Sequence, residues 1–200
     1  MKSRDSGKVL KERLTKHKMI AAIKEPKFIE QAIQYKNNLS AVLLMTGTIL
    51  TVKRYVDYIQ SQGLPVILHV EKIGGLEMDR DGIEFVKRNV QPYGIVTTRN
   101  GIIKKAKSSG LFVVQRVFLI DTEVYTNLMK DLHRIQSDII EIMPCRAPDF
   151  VNRVSGASPV PVITGGLLNS SEHAKQALAN GAAAVTTSNP KIWKINLNTL

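Results

Sequence analysis

Five charged or titratable side chains stand at or near the ends of short apolar runs in the middle of this chain, where they could bind a ligand or do acid–base chemistry. They are His69, Glu71, Arg99, Arg116 and Glu141. Glu141 lies between apolar neighbours and needs a partner, because burying a lone charge is costly. Arg99 and Arg116 are the available cations, and either guanidinium could instead hold a phosphate group. We predict a ligand site here, and the alternative for Glu141 is an ion-pair layer that only stabilises the fold.

Four residues near the end of the chain have types that suit phosphate binding. Gly165 and Gly166 follow one apolar run, and Thr187 and Ser188 end the next. Glycines let backbone N–H groups approach an anion closely, and hydroxyls add neutral hydrogen-bond donors. The alternative is that the paired glycines only form a tight turn. We predict a phosphate pocket.

None of these residues completes a recognisable catalytic pattern. His69, Glu71 and Glu141 could in principle supply a base, an acid or ligands for a divalent metal. Two carboxylates and one histidine are few ligands for a two-metal centre, and no nucleophile motif accompanies them. Cys145 has no assignable base, so ordinary packing is expected and a reactive thiol is the alternative. We therefore predict no catalytic residue, no metal and no cofactor.

Eight apolar strand signals position these residues, and each is followed by a helical signal. The predicted strands are 19–23, 40–45, 65–70, 94–98, 112–118, 138–143, 161–163 and 184–188. This alternation indicates a parallel sheet whose strands are buried on both faces. We predict an α/β fold, a single (β/α)8 TIM-type barrel over residues 19–200, and an open doubly wound sheet is the rival. In such a barrel ligands bind at the carboxyl ends of the strands.

The basic charge is divided between the first eighteen residues and the rest of the chain. The 200 residues carry a formal net charge of +11, and residues 1–18 contribute +5 of it, from seven basic and two acidic residues. We interpret residues 1–18 as a basic leader, either a disordered tail or residues translated from a start site upstream of the true one. A basic surplus of this size favours polyanionic partners, nucleic acid foremost, and a solvated surface is the alternative.

Cysteine content and hydropathy indicate the cellular compartment in which the protein is expected. Cys145 is the single cysteine, which excludes an internal disulfide framework and suits a reducing cytoplasm. No stretch approaches the ~18–20 apolar residues of a membrane span. We expect a cytoplasmic protein with no membrane partner.

Seven segments in chain order resemble the glycerol-3-phosphate-responsive antiterminators, a family of bacterial regulators of glycerol utilisation. The segments are 69–76 (HVEKIGGL), 82–85 (GIEF), 94–99 (GIVTTR), 115–122 (QRVFLIDT), 141–144 (EIMP), 165–167 (GGL) and 181–189 (GAAAVTTSN). The resemblance runs from about Ile20 to Trp193 and leaves the basic leader outside. Where the family usually carries aspartate and leucine, this chain has Glu71 and Lys72.

The resemblance implies a single barrel that binds glycerol-3-phosphate and then acts on the leader of a messenger RNA to suppress a terminator hairpin. Carried over by position, the phosphate would be held by Gly165, Gly166, Thr187 and Ser188. Arg99 and Arg116 would add charge, and the glycerol hydroxyls would meet His69, Glu71 and Glu141. Regulators of this kind also suggest a homo-oligomer, whose order no sequence feature fixes.

The RNA-contacting surface is less well marked in the sequence. The helix predicted over 101–109 carries Lys104, Lys105 and Lys107, which would attract an RNA backbone through their charge. Few aromatic residues stand near these lysines, so base stacking has no visible platform. The alternative function is a small barrel enzyme acting on a phosphorylated glycerol compound or a glycerophosphodiester, with a metal on Glu71 and Glu141.

Overall fold

A computed structural model of the chain describes the backbone of residues 3–199 and the side chains of residues 7–198. The strands are β1 Met19–Ile23, β2 Ala41–Leu44, β3 Val66–His69, β4 Gly94–Thr97, β5 Val113–Phe118, β6 Ile139–Met143, β7 Val162–Gly165 and β8 Ala184–Thr187. The helices are α1 Ser3–His17, α2 Ile29–Gln34, α3 Val52–Ser61, α4 Arg80–Phe85, α5 Asn100–Ser108, α6 Thr122–Asp131, α7 Pro148–Ala157, α8 Ser171–Ala179 and α9 Pro190–Trp193.

The eight strands form a closed parallel barrel in sequence order. Each strand pairs with the next, and β8 closes the barrel by pairing with β1. The predicted (β/α)8 barrel is therefore confirmed, and the rival open sheet is wrong. None of the helices in the described part of the chain is long and apolar enough to cross a membrane.

The interior of the barrel changes from apolar to polar along its axis. Near the amino ends of the strands the interior is filled by apolar residues, among them Ile67, Val96 and Ile139. Because side chains alternate along a strand, the next inward residues are two positions further on. These include His69, Arg116 and Glu141, all buried. The polar layer therefore lies at the carboxyl ends, as the fold class predicts for a site.

A second apolar layer between the strands and the helices anchors the carboxyl-end loops. Trp193, at the end of α9, is fully buried, and its indole N–H donates to the carbonyl of Thr187 at 2.9 Å. Its ring packs edge to face on Phe28, with centroids 6.5 Å apart. This contact ties the end of β8 to the segment that follows β1.

Most of the basic leader forms helix α1, Ser3–His17. Helix α1 lies across the amino end of the barrel, where Leu10 and Leu14 are buried against the interior apolar layer. The Arg13 guanidinium donates to the carbonyls of Leu39 and Ser40, each at 2.8 Å. The leucines are four residues apart and so share one face of the helix. Their burial offsets the conformational entropy that is lost when the helix is ordered. Met1, Lys2 and Leu200, which the predicted leader and barrel include, lie outside the described residues.

Candidate functional site

A cavity of about 810 Å³ opens at the carboxyl ends of the strands, where the predicted residues converge. Of the predicted site residues it is lined by His69, Glu71, Arg99, Arg116, Gly166, Thr187 and Ser188. Glu141 and Gly165 are not in its wall. The side chain of Glu141 lies buried beside Arg116, and Gly165 packs against β8. The structure thus brings seven of the nine predicted residues to one cavity.

Glu141 holds Arg116 in the polar layer at the base of the cavity. The guanidinium Nε donates to Glu141 Oε2 at 2.7 Å, and both side chains are nearly inaccessible, at 3% and 1% exposure. The other carboxylate oxygen accepts a hydrogen bond from Thr186. One terminal nitrogen of Arg116, Nη2, is buried and has no hydrogen-bond partner among the described residues. A buried guanidinium nitrogen without a partner is costly, and an anionic ligand oxygen would satisfy it.

A second polar group lines the cavity where β3 ends, two strands away from Arg116. His69 Nδ1 lies 3.0 Å from Glu71 Oε2, and the other oxygen of Glu71 accepts a hydrogen bond from the Thr97 hydroxyl. Burial alone would raise the pKa of the Glu71 carboxyl, but its contacts with His69 and Thr97 outweigh burial and lower the pKa to about 2. The carboxylate is therefore ionised near neutral pH and can accept hydrogen bonds from ligand hydroxyls.

This low pKa predicts an acid-sensitive contribution of Glu71 to stability. Because the folded-state pKa lies below the ordinary value of 4.5, the ionised group stabilises the fold above about pH 4.5, and that stabilisation is lost as the pH falls toward 2. In urea unfolding, the free energy of unfolding of the wild type should exceed that of Glu71→Gln by the largest amount above pH 5. This difference should shrink as the pH falls below 5. Thr97→Val, which removes one donor to the Glu71 carboxylate, should raise the folded-state pKa, so that the stabilisation is smaller and is fully lost at a higher pH. A gap that is constant down to pH 2 would contradict the assignment.

The loops after β7 and β8 form the third side of the cavity. Gly166 has a φ of +74°, which favours glycine, and Leu167 follows with a φ of +55°. Ser188 is exposed, and its hydroxyl has no hydrogen bond to another described residue, so it can donate to a ligand. Thr187 also lines the cavity, and its hydroxyl donates to the carbonyl of Leu168 and accepts from the N–H of Asn189, each at 3.1 Å. Its hydroxyl therefore shapes the loop.

Gly165, predicted from the sequence to hold the phosphate, packs closely against β8 in the structure. A Cβ atom at this position would lie 2.1 Å from Thr186 Oγ1 and 2.9 Å from the carbonyl oxygen of Thr186. The absence of a side chain therefore lets β7 approach β8 closely enough for Thr186 to reach Glu141.

Gly165→Ala should destabilise the protein by about 1–3 kcal/mol, because the added methyl overpacks the interior and displaces Thr186. Gly156→Ala in α7 is a matched control, since no atom lies within 4 Å of the Cβ it would add. That control should be neutral or stabilising by about 0.5–1 kcal/mol. Urea unfolding of both variants measures these effects. If Gly165→Ala and Gly156→Ala have the same free energy of unfolding, the close contact of β7 with β8 at Gly165 is unimportant for stability.

The predicted RNA-binding lysines on α5 lie outside the cavity and are not equivalent. Lys104 and Lys105 are exposed, whereas Lys107 forms an ion pair with Asp138, with Nζ 2.7 Å from Oδ1. Asp138 also accepts from the backbone N–H of Val113, so it is held in place. The charge of Lys107 is therefore largely compensated, which leaves two free cations on this surface instead of three.

Several lining residues were not among the predicted ones. They are chiefly Lys24, Lys72, Phe118, Met143, Leu167 and Thr186. Alternation along β8 could have identified Thr186, because Ala184 faces the interior and Thr186 is two residues further on. Cys145 is buried, and burial raises the pKa of its thiol, which agrees with a packing role. In the described part of the chain no three acidic, histidine or cysteine side chains are gathered as metal ligands.

Comparison with known proteins gives one family and close structural relatives. A family model described as glycerol-3-phosphate responsive antiterminator matches residues 19–193. The crystal structure of the glycerol uptake operon antiterminator regulatory protein from Listeria monocytogenes is similar, with 34% identity, a TM-score of 0.80 and coverage of 88% of this chain and 94% of that one. A glycerol uptake operon antiterminator-related protein from Thermotoga maritima has 25% identity, a TM-score of 0.77 and coverage of 88% and 98%. The uncharacterized protein YgcP of Escherichia coli is 29% identical over 91% of this chain and 94% of its own length.

Proposed function

The chain belongs to the glycerol-3-phosphate responsive antiterminator family, and from this membership we propose that it senses glycerol-3-phosphate and binds leader messenger RNA. In this proposal the ligand occupies the carboxyl-end cavity, and the loaded protein prevents transcription termination in glycerol-utilisation operons. The protein would act in the cytoplasm, where both the metabolite and the nascent RNA are found. No bond of the ligand is broken in this role.

The observation that carries the ligand part of the proposal is the guanidinium of Arg116, which lines the cavity and is held in place by Glu141. Because Glu141 fixes the guanidinium, Arg116 offers an anion a cation whose position is already set, and its Nη2 has no hydrogen-bond partner among the described residues. Arg99 and Ser188 line the same cavity and can add donors to a phosphate. The Glu71 carboxylate can accept hydrogen bonds from the two glycerol hydroxyls, and the His69 imidazole beside it is a further polar group that they can meet.

Calorimetric titration of the full chain tests the ligand. Glycerol-3-phosphate should bind, whereas glycerol and inorganic phosphate should each bind at least tenfold more weakly, because each satisfies only one part of the cavity. A filter-binding assay with the leader transcript upstream of the host's glycerol-utilisation genes tests the RNA. We expect RNA affinity to rise when glycerol-3-phosphate is added. Equal affinity for phosphate and glycerol-3-phosphate would contradict the ligand assignment.

The enzyme alternative is tested with the same preparation. Its metal would need Glu71 and Glu141, but Glu141 is already engaged by Arg116 and Thr186, and Glu71 by His69 and Thr97. These contacts favour the sensor. Release of inorganic phosphate from glycerol-3-phosphate, or turnover of a glycerophosphodiester at catalytic protein concentrations, would instead support the enzyme.

A further inference from the structure

The mouth of the cavity has two chemically different sides. The loops after β1, β3 and β4 place three exposed cations on one side, Lys24, Lys72 and Arg99. The ends of β5, β6 and the loop after β7 place three apolar side chains on the other, Phe118, Met143 and Leu167. Glu71 is the one carboxylate in the wall, and it is engaged by His69 and Thr97. The mouth thus pairs a positive side with an apolar side.

The apolar side is unusually accessible. Phe118 and Leu167 are 48% and 71% exposed, although they line a cavity. Six of the seven exposed large apolar residues in the described part of the chain lie at the carboxyl end of the barrel, each at the last residue of a strand, in the loop after it or in the first turn of the next helix, namely Ile49, Leu50, Phe118, Ile120, Phe150 and Leu167. Exposed apolar surface gathered at one end of a protein marks an interaction site.

The cavity is also larger than the ligand of the proposed function. Glycerol-3-phosphate has about ten non-hydrogen atoms, which occupy at most roughly 300 Å³ if each takes the volume of a water molecule. The cavity measures about 810 Å³. A ligand held at its base by Arg116 would therefore leave the mouth with Phe118 open for a second molecule.

We propose that the mouth of this cavity is the RNA-binding surface, and that it receives an unpaired nucleotide directly above the bound ligand. The base stacks on Phe118 beside Leu167, and the neighbouring phosphates lie along Lys24 and Lys72, while Arg99 stays with the ligand. An aromatic face next to cations is the arrangement that binds single-stranded nucleic acid. The inference rests on the proposed function, because it takes RNA as the partner.

Direct contact explains how the ligand changes RNA affinity. A ligand alters the binding of a partner only through a difference in its interactions with the free and bound states. At the mouth, the ligand itself becomes part of the surface that the nucleotide touches. Helix α5 lies outside the cavity wall, and the charge of its Lys107 is compensated by Asp138. A second copy of the chain would match the apolar side of the mouth but not its three exposed cations.

Four variants of the full chain test the location, each titrated with the leader transcript at saturating glycerol-3-phosphate. Phe118→Ala and Lys72→Gln alter the mouth. Tyr58→Ala is a matched control for the first, since Tyr58 on α3 is an aromatic residue of similar exposure, 41%. Lys104→Gln, combined with Lys105→Gln, is the control for the second, since both lysines are exposed and lie on α5.

Phe118→Ala should weaken RNA binding by roughly 5- to 150-fold, the range expected for one lost stacking contact. Lys72→Gln should weaken it at low salt and reduce the slope of log affinity against log salt by about 0.7. Both controls should bind RNA like the wild type. Calorimetry should find glycerol-3-phosphate affinity within about threefold of wild type for Phe118→Ala, which separates loss of RNA binding from loss of ligand.

Two results would overturn the inference in distinguishable ways. If the wild type binds the transcript and the two mouth variants bind it equally well, RNA binds elsewhere and the proposed function stands. Loss of binding in the α5 variant alone would then point to the lysines of that helix. If the wild type binds the ligand but no RNA, the proposed function itself fails, and this inference fails with it.

Discussion

Replacing Glu141 with alanine should lower the free energy of unfolding by about 3–5 kcal/mol, because it leaves a buried charge unpaired. Arg116 would keep its guanidinium in a position with 3% side-chain exposure and lose the carboxylate 2.7 Å away. Thr186 would lose its acceptor as well. A loss of this size is a large part of the total stability of a domain. Urea unfolding followed by circular dichroism measures it.

The double variant Arg116→Met with Glu141→Leu separates the structural role of the pair from its role in binding. Apolar residues of similar volume in place of a buried ion pair are often neutral or stabilising. The double variant should therefore be much more stable than Glu141→Ala, yet calorimetry should detect no glycerol-3-phosphate binding, because the fixed anion donor is gone. Wild-type affinity in a folded double variant would show that Arg116 does not hold the ligand.

Replacing Trp193 with alanine should cost about 3–5 kcal/mol of stability, the range for removing a buried aromatic ring. The indole is fully buried, packs on Phe28, and donates to the carbonyl of Thr187. Because this contact ties the end of β8 to the region after β1, the loop with Ser188 should also loosen. Glycerol-3-phosphate affinity should fall together with the midpoint of urea unfolding.

Two further variants calibrate that result. Trp193→Phe keeps most of the ring and removes only the N–H donor, so it should cost less than Trp193→Ala, about 1–3 kcal/mol for the unsatisfied carbonyl and the smaller ring. Tyr58→Ala removes an exposed aromatic ring from α3 and should change stability by no more than about 0.5 kcal/mol. If Trp193→Ala matches Tyr58→Ala, the closing helix does not support the cavity.

The barrel could be predicted from the sequence because the alternation of strand and helix signals is local. Predicted strand ends lie within two residues of those observed, and the largest shift is β7, which runs on to Gly165 instead of ending at residue 163. Glycine ends strands by propensity, but the closeness of β7 to β8 favours glycine at this position within the strand. Tertiary packing therefore determined where this strand ends.

The site was partly predictable for the same reason. Strand-end position and alternation brought His69 and Arg116 to one cavity, because both depend on strand geometry alone, whereas Glu71 reaches it from a 3-10 turn over Val70–Lys72. The hydrogen bond from the Thr187 hydroxyl to Leu168 and the ion pair of Lys107 with Asp138 depend on residues 19 and 31 positions away. No local pattern reports such contacts. The helical leader was missed because its seven basic residues obscured the pairing of Leu10 with Leu14.

The pairing of β1 with β8 has a consequence for synthesis of the chain on the ribosome. The two strands are separated by about 160 residues, so one edge of β1 has no partner until nearly the whole barrel has been made. At about 5–20 residues per second this takes roughly 8–30 s, during which the nascent chain exposes an unpaired strand edge that can join another chain. Slow codons between β1 and β8 lengthen that interval. Soluble yield from an expression host should therefore depend on where along the message the ribosome pauses.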